Sequence, residues 1–303
     1  MDFVFRHEAV FYAGPEAFLD RVAPFVEEGV AAGEPVMVAL EAPKLRALSE
    51  RLGAAAAERV ELVDMGDVGH NPACIIPAWR DFVGGRSGPL RGVGEPIWPG
   101  RSPAELVECQ CHEQLLNPAF ADTDGFHLVC PYDAAHLDRE VIEEAERSHP
   151  WVGAAESVRY RGADDPPPQL SAPLPDAPAH PAEHPITWET LSGIRALVAE
   201  HARQAGVSEQ RAGDLVLATH EVATNSIRHG GGEGVLRVWH DRDTVICEVR
   251  DRGRLDQPLA GRSRPQLADG DGDGWGLWLA NQLCDLVQIR TLPDGNVVRL
   301  LLH

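Results

Sequence analysis

Asp214-Leu-Val-Leu-Ala-Thr-His220-Glu221-Val-Ala-Thr-Asn225-Ser-Ile-Arg-His229-Gly230 decides how the second half of the chain is read. Apolar and small positions Ala212, Leu215, Val216, Thr219, Val222, Ala223 and Ser226 recur every three or four residues, so the stretch is expected to be one helix with a small-residue stripe packed on another element. Ser208 is its expected cap, with Glu209 in the first turn. Glu221 and Asn225 stand four residues apart and point the same way, beside the stripe with Asp214, Ala218 and Arg228. An acid and an amide so placed can serve a nucleotide and its metal, or can form a solvated edge. The helix alone does not choose.

Working outward, an amphipathic helix over Thr190–Gln204 precedes this one. After it, Gly234–His240 and Thr244–Arg250 alternate around an Asp241-Arg-Asp243 break and read as an antiparallel hairpin ending in Asp251-Arg-Gly253. Asp269-Gly-Asp-Gly-Asp-Gly274-Trp-Gly276-Leu277 then leads into a short helix, Leu277–Cys284, and two further strands around Pro293-Asp-Gly295-Asn. Asp269, Asp271 and Asp273 imitate the first half of a calcium loop, but the twelfth position falls on Ala280, where a bidentate Glu is required, so calcium is rejected. A glycine run opening a helix suits phosphate, because free N–H groups converge there.

Residues 1–161 alternate strand and helix. The strands are expected at Glu8–Tyr12, Glu34–Leu40, Val60–Val63 and Phe126–Cys130, and the helices at Pro15–Gly29, Pro43–Leu52, Ile75–Val83 and Leu137–Arg147. That order argues an α/β domain on a mainly parallel sheet. Arg91-Gly-Val-Gly94-Glu95-Pro-Ile-Trp98-Pro-Gly100-Arg101 has the make-up of a ligand-facing loop, although Gly and Pro mark any irregular connection. Cys109-Gln-Cys111-His112-Glu113, with His127 and Cys130 further on, contains zinc-ligand types. Cys-x-Cys is nevertheless too close for a structural zinc pair, and Cys109 and Glu113 share a helix face different from that of Glu108, His112 and Leu115, so these read as small core or cleft residues.

Eight prolines from Ala163 to Pro185 remove donors and fix extended backbone, so 162–185 is read as a semi-rigid linker between domains 1–161 and 186–303. The 303 residues suffice for two domains, and 44% apolar with 24% charged residues is a globular composition. A net charge of -20 opposes nucleic-acid backbones; solubility alone accounts for it, and it also suits a partner with basic surface. No run approaches the ~18 apolar residues of a membrane helix. The opening Met1–Glu8 lacks a basic region followed by an apolar core. A cytoplasmic, non-membrane location with six reduced cysteines is therefore expected.

Two resemblances add to this. His7-Glu8-Ala-Val-Phe-Tyr12, Glu28-Gly29, Gly33-Glu34-Pro35-Val36 and Cys130-Pro-Tyr-Asp133 resemble the MEDS sensory domains over residues 1–160, which implies a RecA-like α/β scaffold sensing an unknown small signal. No Walker-type Gly-x-x-x-x-Gly-Lys accompanies it. Residues 186–303, with Glu221 and Asn225, Asp251-x-Gly253 and Gly274-x-Gly276-Leu277 in that order and spacing, resemble the GHKL ATPase superfamily and, within it, the serine-kinase anti-sigma factors. The pairing with MEDS resembles RsbA-type regulators.

The second resemblance implies a Bergerat α/β sandwich that binds ATP with Mg²⁺. Asn225 would help hold the metal, Asp251 would bond the adenine amino group, Gly253 would let the chain approach the base, and Gly274, Gly276 and Leu277 would form the lid hinge and phosphate cradle. Glu221 would be the general base toward a serine of a partner. The implied partners are a sigma factor and a STAS-type anti-sigma factor antagonist, and a homodimer is left open. Leu255 replaces the usual third glycine after Asp251, and Arg252, Arg254, Arg262 and Arg264 read mostly as solvated. The rival readings are a sensor histidine kinase, for which no two-helix dimerisation hairpin is found, and a non-catalytic nucleotide-dependent switch.

Overall fold

The computed structural model describes residues 5–178, 181–265 and 274–303, and the chain divides into two compact units, Met1–Pro166 and Pro167–His303. In chain order the first unit contains β1 (Arg6–Tyr12), α1 (Gly14–Ala32), β2 (Val36–Leu40), α2 (Ala42–Leu52), α3 (Ala54–Ala57), β3 (Val60–Asp64), α4 (Met65–Val68), α5 (Ile75–Val83), β4 (Leu90–Gly94), α6 (Pro103–Phe120), β5 (Phe126–Asp133), α7 (Arg139–Ser148), β6 (Trp151–Val152) and β7 (Ala155–Glu156). Among the described residues its sheet runs β3-β2-β4-β5-β1-β6-β7, parallel except for the β6–β7 pair. Parallel neighbours need crossovers, which the helices between strands supply. All five residues of β2 are buried, as the continuous apolar run requires of a strand covered on both faces.

Arg91–Gly94 is not loop but β4, a central strand paired with β2 and β5. Its glycines answer to packing rather than to a turn. A Cβ on Gly92 would stand 2.9 Å from both Trp79 and Leu128, and one on Gly94 would stand 2.9 Å from Trp79, whose indole is fully buried across the strand. The irregular part is Glu95–Arg101, where Glu95 is buried against Tyr12 and Lys44, and Arg101 stacks on Trp98 with its guanidinium carbon 3.7 Å from the ring centre.

The second unit contains β8 (Glu183–Ile186), α8 (Leu191–Gln204), α9 (Glu209–His229), β9 (Gly234–Asp241), β10 (Thr244–Asp251), α10 (Trp275–Leu283), β11 (Leu286–Leu292) and β12 (Gly295–Leu302). Its antiparallel sheet runs β11-β12-β10-β9-β8. Alternation sets which face the helices cover. Val245, Cys247 and Val249 of β10, Val298, Leu300 and Leu302 of β12, and Leu236 and Val238 of β9 join a core with Ile194 and Val198 of α8, Leu215, Val222 and Ile227 of α9, and Ala280 of α10. The Ser208 hydroxyl accepts from the Arg211 N–H at 3.3 Å and caps α9.

The opposite sheet face carries charge. Glu248 is fully buried, and the Arg299 guanidinium donates to it from Nη2 at 2.6 Å and Nε at 2.9 Å, while Arg250 Nε donates at 2.7 Å. Cross-strand register creates this, since Glu248 lies opposite Arg299 on one side and Arg237 on the other. Arg299 also donates to the Pro175 carbonyl at 2.7 Å, and the 3-10 turn Pro168–Ser171 lies against β11. The stretch read as a spacer over 162–185 is thus partly structured: proline carbonyls still accept hydrogen bonds, and Glu183–Pro185 are sheet residues of β8. Removing one partner of a buried pair leaves the other charge uncompensated. Glu248→Ala is expected to lower the unfolding free energy by about 3–5 kcal/mol in a urea titration, with the Glu248→Met/Arg299→Met double variant recovering most of the loss. Equal stability of wild type and the single variant would show the pair to be dispensable.

Candidate functional site

The helical side of the second unit carries an open cavity of about 960 Å³ whose wall includes Asn225, Asp251, Leu255, Gly274, Leu277 and Asn296. That lies at the upper end of the roughly 300–1,000 Å³ typical of small-ligand sites. Ala218, on the Asn225 side of α9, is fully buried, and α10 packs on α9, so this helix face is not a solvated edge. Asn225 is half-buried and meets the first turn of α10, where a Cβ on Gly276 would come within 2.7 Å of its Nδ2. Gly276 lies inside α10, which begins at Trp275, rather than ahead of it. Gly274 forms the N-cap with φ 95°, a left-handed conformation that favours glycine.

Asp251 ends β10 and is held from three directions. The Ser226 hydroxyl of α9 donates to Oδ2 at 2.7 Å, the Gly253 N–H to Oδ1 at 2.9 Å, and Asn296 Nδ2 to Oδ1 at 3.2 Å. An ionised carboxylate offers about four acceptor sites. The three internal donors leave acceptor capacity on a group that faces the cavity. Glycines make room for this approach. A Cβ on Gly230 would stand 2.5 Å from Asp251 Cγ, and one on Gly253 would stand 2.8 Å from the His229 carbonyl oxygen.

Leu255, standing where a third glycine was expected, is anchored through its backbone. Its N–H donates to Asn296 Oδ1 at 3.1 Å, and its carbonyl accepts from the Thr291 hydroxyl at 3.2 Å. Beyond it, Gly261 presses on α10, with its carbonyl accepting from Asn281 Nδ2 at 2.9 Å. Of the four arginines of this region, Arg252, Arg254 and Arg264 are exposed, and Arg254 and Arg264 line the cavity, whereas Arg262 is buried. The run from Asp269 to Asp273, set aside as a calcium loop, lies outside the described residues.

The structure thus brings Asn225, Asp251, Gly274 and Leu277 to one cavity, with Gly253 and Gly276 packed immediately behind it. Glu221 is half-buried one turn back along α9 and is not part of the cavity wall, which on that helix begins at Val222. Ser226 and Asn296 went unrecognised from sequence. Ser226 looked like one more small residue of the stripe, and Asn296 like an ordinary turn residue after Gly295.

In the first unit, the Cys109–Glu113 run lies on α6, and it divides. Cys109 and Cys111 are core residues, and the Cys109 thiol, pushed up to about 12 by burial, donates to the Pro96 carbonyl at 3.3 Å. Glu113 turns to His7 and His149 instead. His127 pairs with Glu8 at 3.0 Å, away from the cysteines of the run.

Residues 6–150 match the family model described as MEDS, the methanogen/methylotroph, DcmR sensory domain, and residues 185–302 match the histidine kinase-like ATPase domain. No curated protein matches the chain. Among the described residues no helix is long and apolar enough to cross a membrane. A parallel α/β sheet under the first match and an antiparallel sheet layered with helices under the second agree with these classes. The ATPase class implies ATP, ordinarily with Mg²⁺, and the cavity fits that requirement in size, in its carboxylate acceptor and in its glycine-made clearance. The chain carries an N-terminal MEDS sensory domain and a C-terminal histidine kinase-like ATPase domain of the GHKL type, the make-up of a regulatory, kinase-like signalling protein.

Proposed function

We propose that this protein is a cytoplasmic anti-sigma factor that binds ATP–Mg²⁺ in the cavity beside α9 and α10. In this reading it phosphorylates a serine of a STAS-type anti-sigma factor antagonist, under control of a small signal at its N-terminal domain. The observation that carries the nucleotide part is the Asp251 carboxylate, fixed by three donors yet facing the cavity. It can accept from an exocyclic adenine amine and repels the carbonyl that guanine presents at the same place. Asn225 offers its amide oxygen to the metal from the α9 wall. The N–H groups at the start of α10, just after Gly274, suit the phosphates, since a helix N-terminus carries unpaired donors and a positive dipole end.

Serine is a weak nucleophile near neutral pH, so transfer calls for a base. Glu221 would take the hydroxyl proton as the serine oxygen bonds to the γ-phosphorus and the bridging oxygen departs with ADP. The surplus of acidic residues suits a partner with basic surface. A second reading, a nucleotide-dependent partner-binding switch without transfer, is favoured by one observation: Glu221 stands outside the cavity wall.

Incubation with γ-labelled ATP, Mg²⁺ and candidate antagonist proteins separates the two. The kinase reading expects Glu221→Ala to lower transfer by roughly 10²–10⁴-fold while leaving ATP affinity unchanged, and Asn225→Ala to lose the Mg²⁺-dependent part of binding. Equal transfer from wild type and both variants would remove the proposed roles. ATP-dependent partner capture without labelled product from wild type would leave the switch.

A further inference from the structure

His7 in β1, Glu113 in α6, Cys130 in β5 and His149 directly after α7 each bring one ligand atom into a group whose members all lie within 4.8 Å of one another. None of the four side chains is more than 1% exposed. His7 Nε2 and His149 Nε2 both stand 3.1 Å from Glu113 Oε2, and Cys130 Sγ stands 3.4 Å from His7 Nε2. A tetrahedral ion with N and O ligands near 2.0–2.2 Å and sulfur near 2.3 Å has ligand–ligand edges of roughly 3.3–3.6 Å. The three close contacts need to open by only a few tenths of an ångström, and the remaining pairs, all within 4.8 Å, to draw in by at most about 1.5 Å, to hold one.

The surrounding hydrogen bonds orient both imidazoles for this. His149 Nδ1 lies 2.8 Å from the Ala145 carbonyl, which can only accept, so the Nδ1 atom carries the proton. Asn117 donates its Nδ2 to the Ser148 and Gln114 carbonyls, which turns its Oδ1 toward His7 Nδ1 at 3.1 Å and places the proton there as well. Each ring, when neutral, then has its Nε2 lone pair on the side of the same carboxylate oxygen, 3.1 Å away. One proton could bridge one of these contacts, not both. His149 Nε2 is off the direction a hydrogen bond to Glu113 needs, despite the short distance, and Glu113 Oε1 has no hydrogen-bond partner among the described residues. Converging lone pairs in a dry interior are costly unless a cation lies between them. Fixing Nδ1–H on a backbone or amide oxygen is the usual outer support of a ligating histidine.

We propose that the N-terminal unit holds a closed tetrahedral zinc site formed by His7 Nε2, Glu113 Oε2, Cys130 Sγ and His149 Nε2. One thiolate, two imidazoles and one carboxylate favour zinc over the hard, oxygen-seeking Mg²⁺ and Ca²⁺. Four protein ligands and complete burial leave no open coordination position, so the ion ties β1, β5, α6 and the end of α7 together. The site lies within Met1–Pro166, whereas the ATP cavity lies within Pro167–His303, so the proposal stands apart from the nucleotide reading.

The test uses the full chain, unfolded, stripped with a chelator and refolded with Zn²⁺, with Co²⁺ or without metal. After desalting, about one equivalent of zinc per chain is expected, with a higher thermal midpoint than the metal-free sample. The cobalt form should show intense tetrahedral visible bands and a thiolate-to-cobalt charge-transfer band. Cys130→Ser should abolish that band and His149→Gln should cut bound metal at least tenfold, while Cys74→Ser, outside the cluster, keeps both. Zinc-edge X-ray absorption on wild type, expected to show one sulfur and three N/O neighbours, gives an answer even if the variants do not fold. Folded wild type that takes up less than a tenth of an equivalent of either metal, a shell without sulfur, or unchanged loading in both cluster variants would overturn the proposal.

Discussion

The carboxylate of Asp251 joins three pieces of chain that are far apart in sequence. Through Ser226 it grips α9, through the Gly253 N–H it shapes the turn after β10, and through Asn296 it fixes the β11–β12 turn. Asn296 in turn holds Leu255 and Thr291, so the floor of the cavity rests on one acidic group. The glycines nearby follow from it. Gly230 and Gly295 sit where a Cβ would strike Asp251 itself, at 2.5 Å from its side chain and 1.8 Å from its carbonyl oxygen respectively, and Gly295 has φ 140° besides. Residues that look like unrelated turn formers are one steric requirement.

The antiparallel sheet supplies the rigid support. Period-two alternation gives β10 an apolar face for α9 and α10 and puts Glu248 on the other face between arginines of two neighbouring strands. Both faces are therefore spoken for, which fixes the register that brings Asp251 level with Gly234 and Asn296.

Much of this could be read from sequence because the signals were local. Ser208 ahead of the small-residue stripe marked α9, the continuous run Val36–Leu40 marked a strand buried on both sides, and Asp241-Arg-Asp243 marked the hairpin turn. Where structure and sequence pattern differ, glycine serves packing rather than turning. Arg91–Gly94 looked irregular, yet its glycines let Trp79 lie against a central strand. Trp275 and Gly276 fell outside the expected helix because glycine lowers helix propensity, whereas the closeness of Asn225 demands glycine there. Of the His7, Glu113, Cys130 and His149 group, only Glu113 and Cys130 stand out in the sequence beside other ligand types, because the four come from β1, α6, β5 and the residue after α7, with His7 and Glu113 106 residues apart, and the tertiary fold brings them together.

The proposed role of Asp251 is to make the C-terminal cavity an adenine nucleotide site. Its most direct test is calorimetric titration of the full chain with ATP and with GTP, in Mg²⁺, for wild type and Asp251→Asn. The account predicts saturable ATP binding well ahead of GTP in wild type. It also predicts a roughly ten- to hundredfold loss of ATP affinity in the variant, the worth of one hydrogen bond to a charged group, with the preference for ATP lost. ATP binding unchanged by the substitution, or wild type binding the two nucleotides equally, would contradict it.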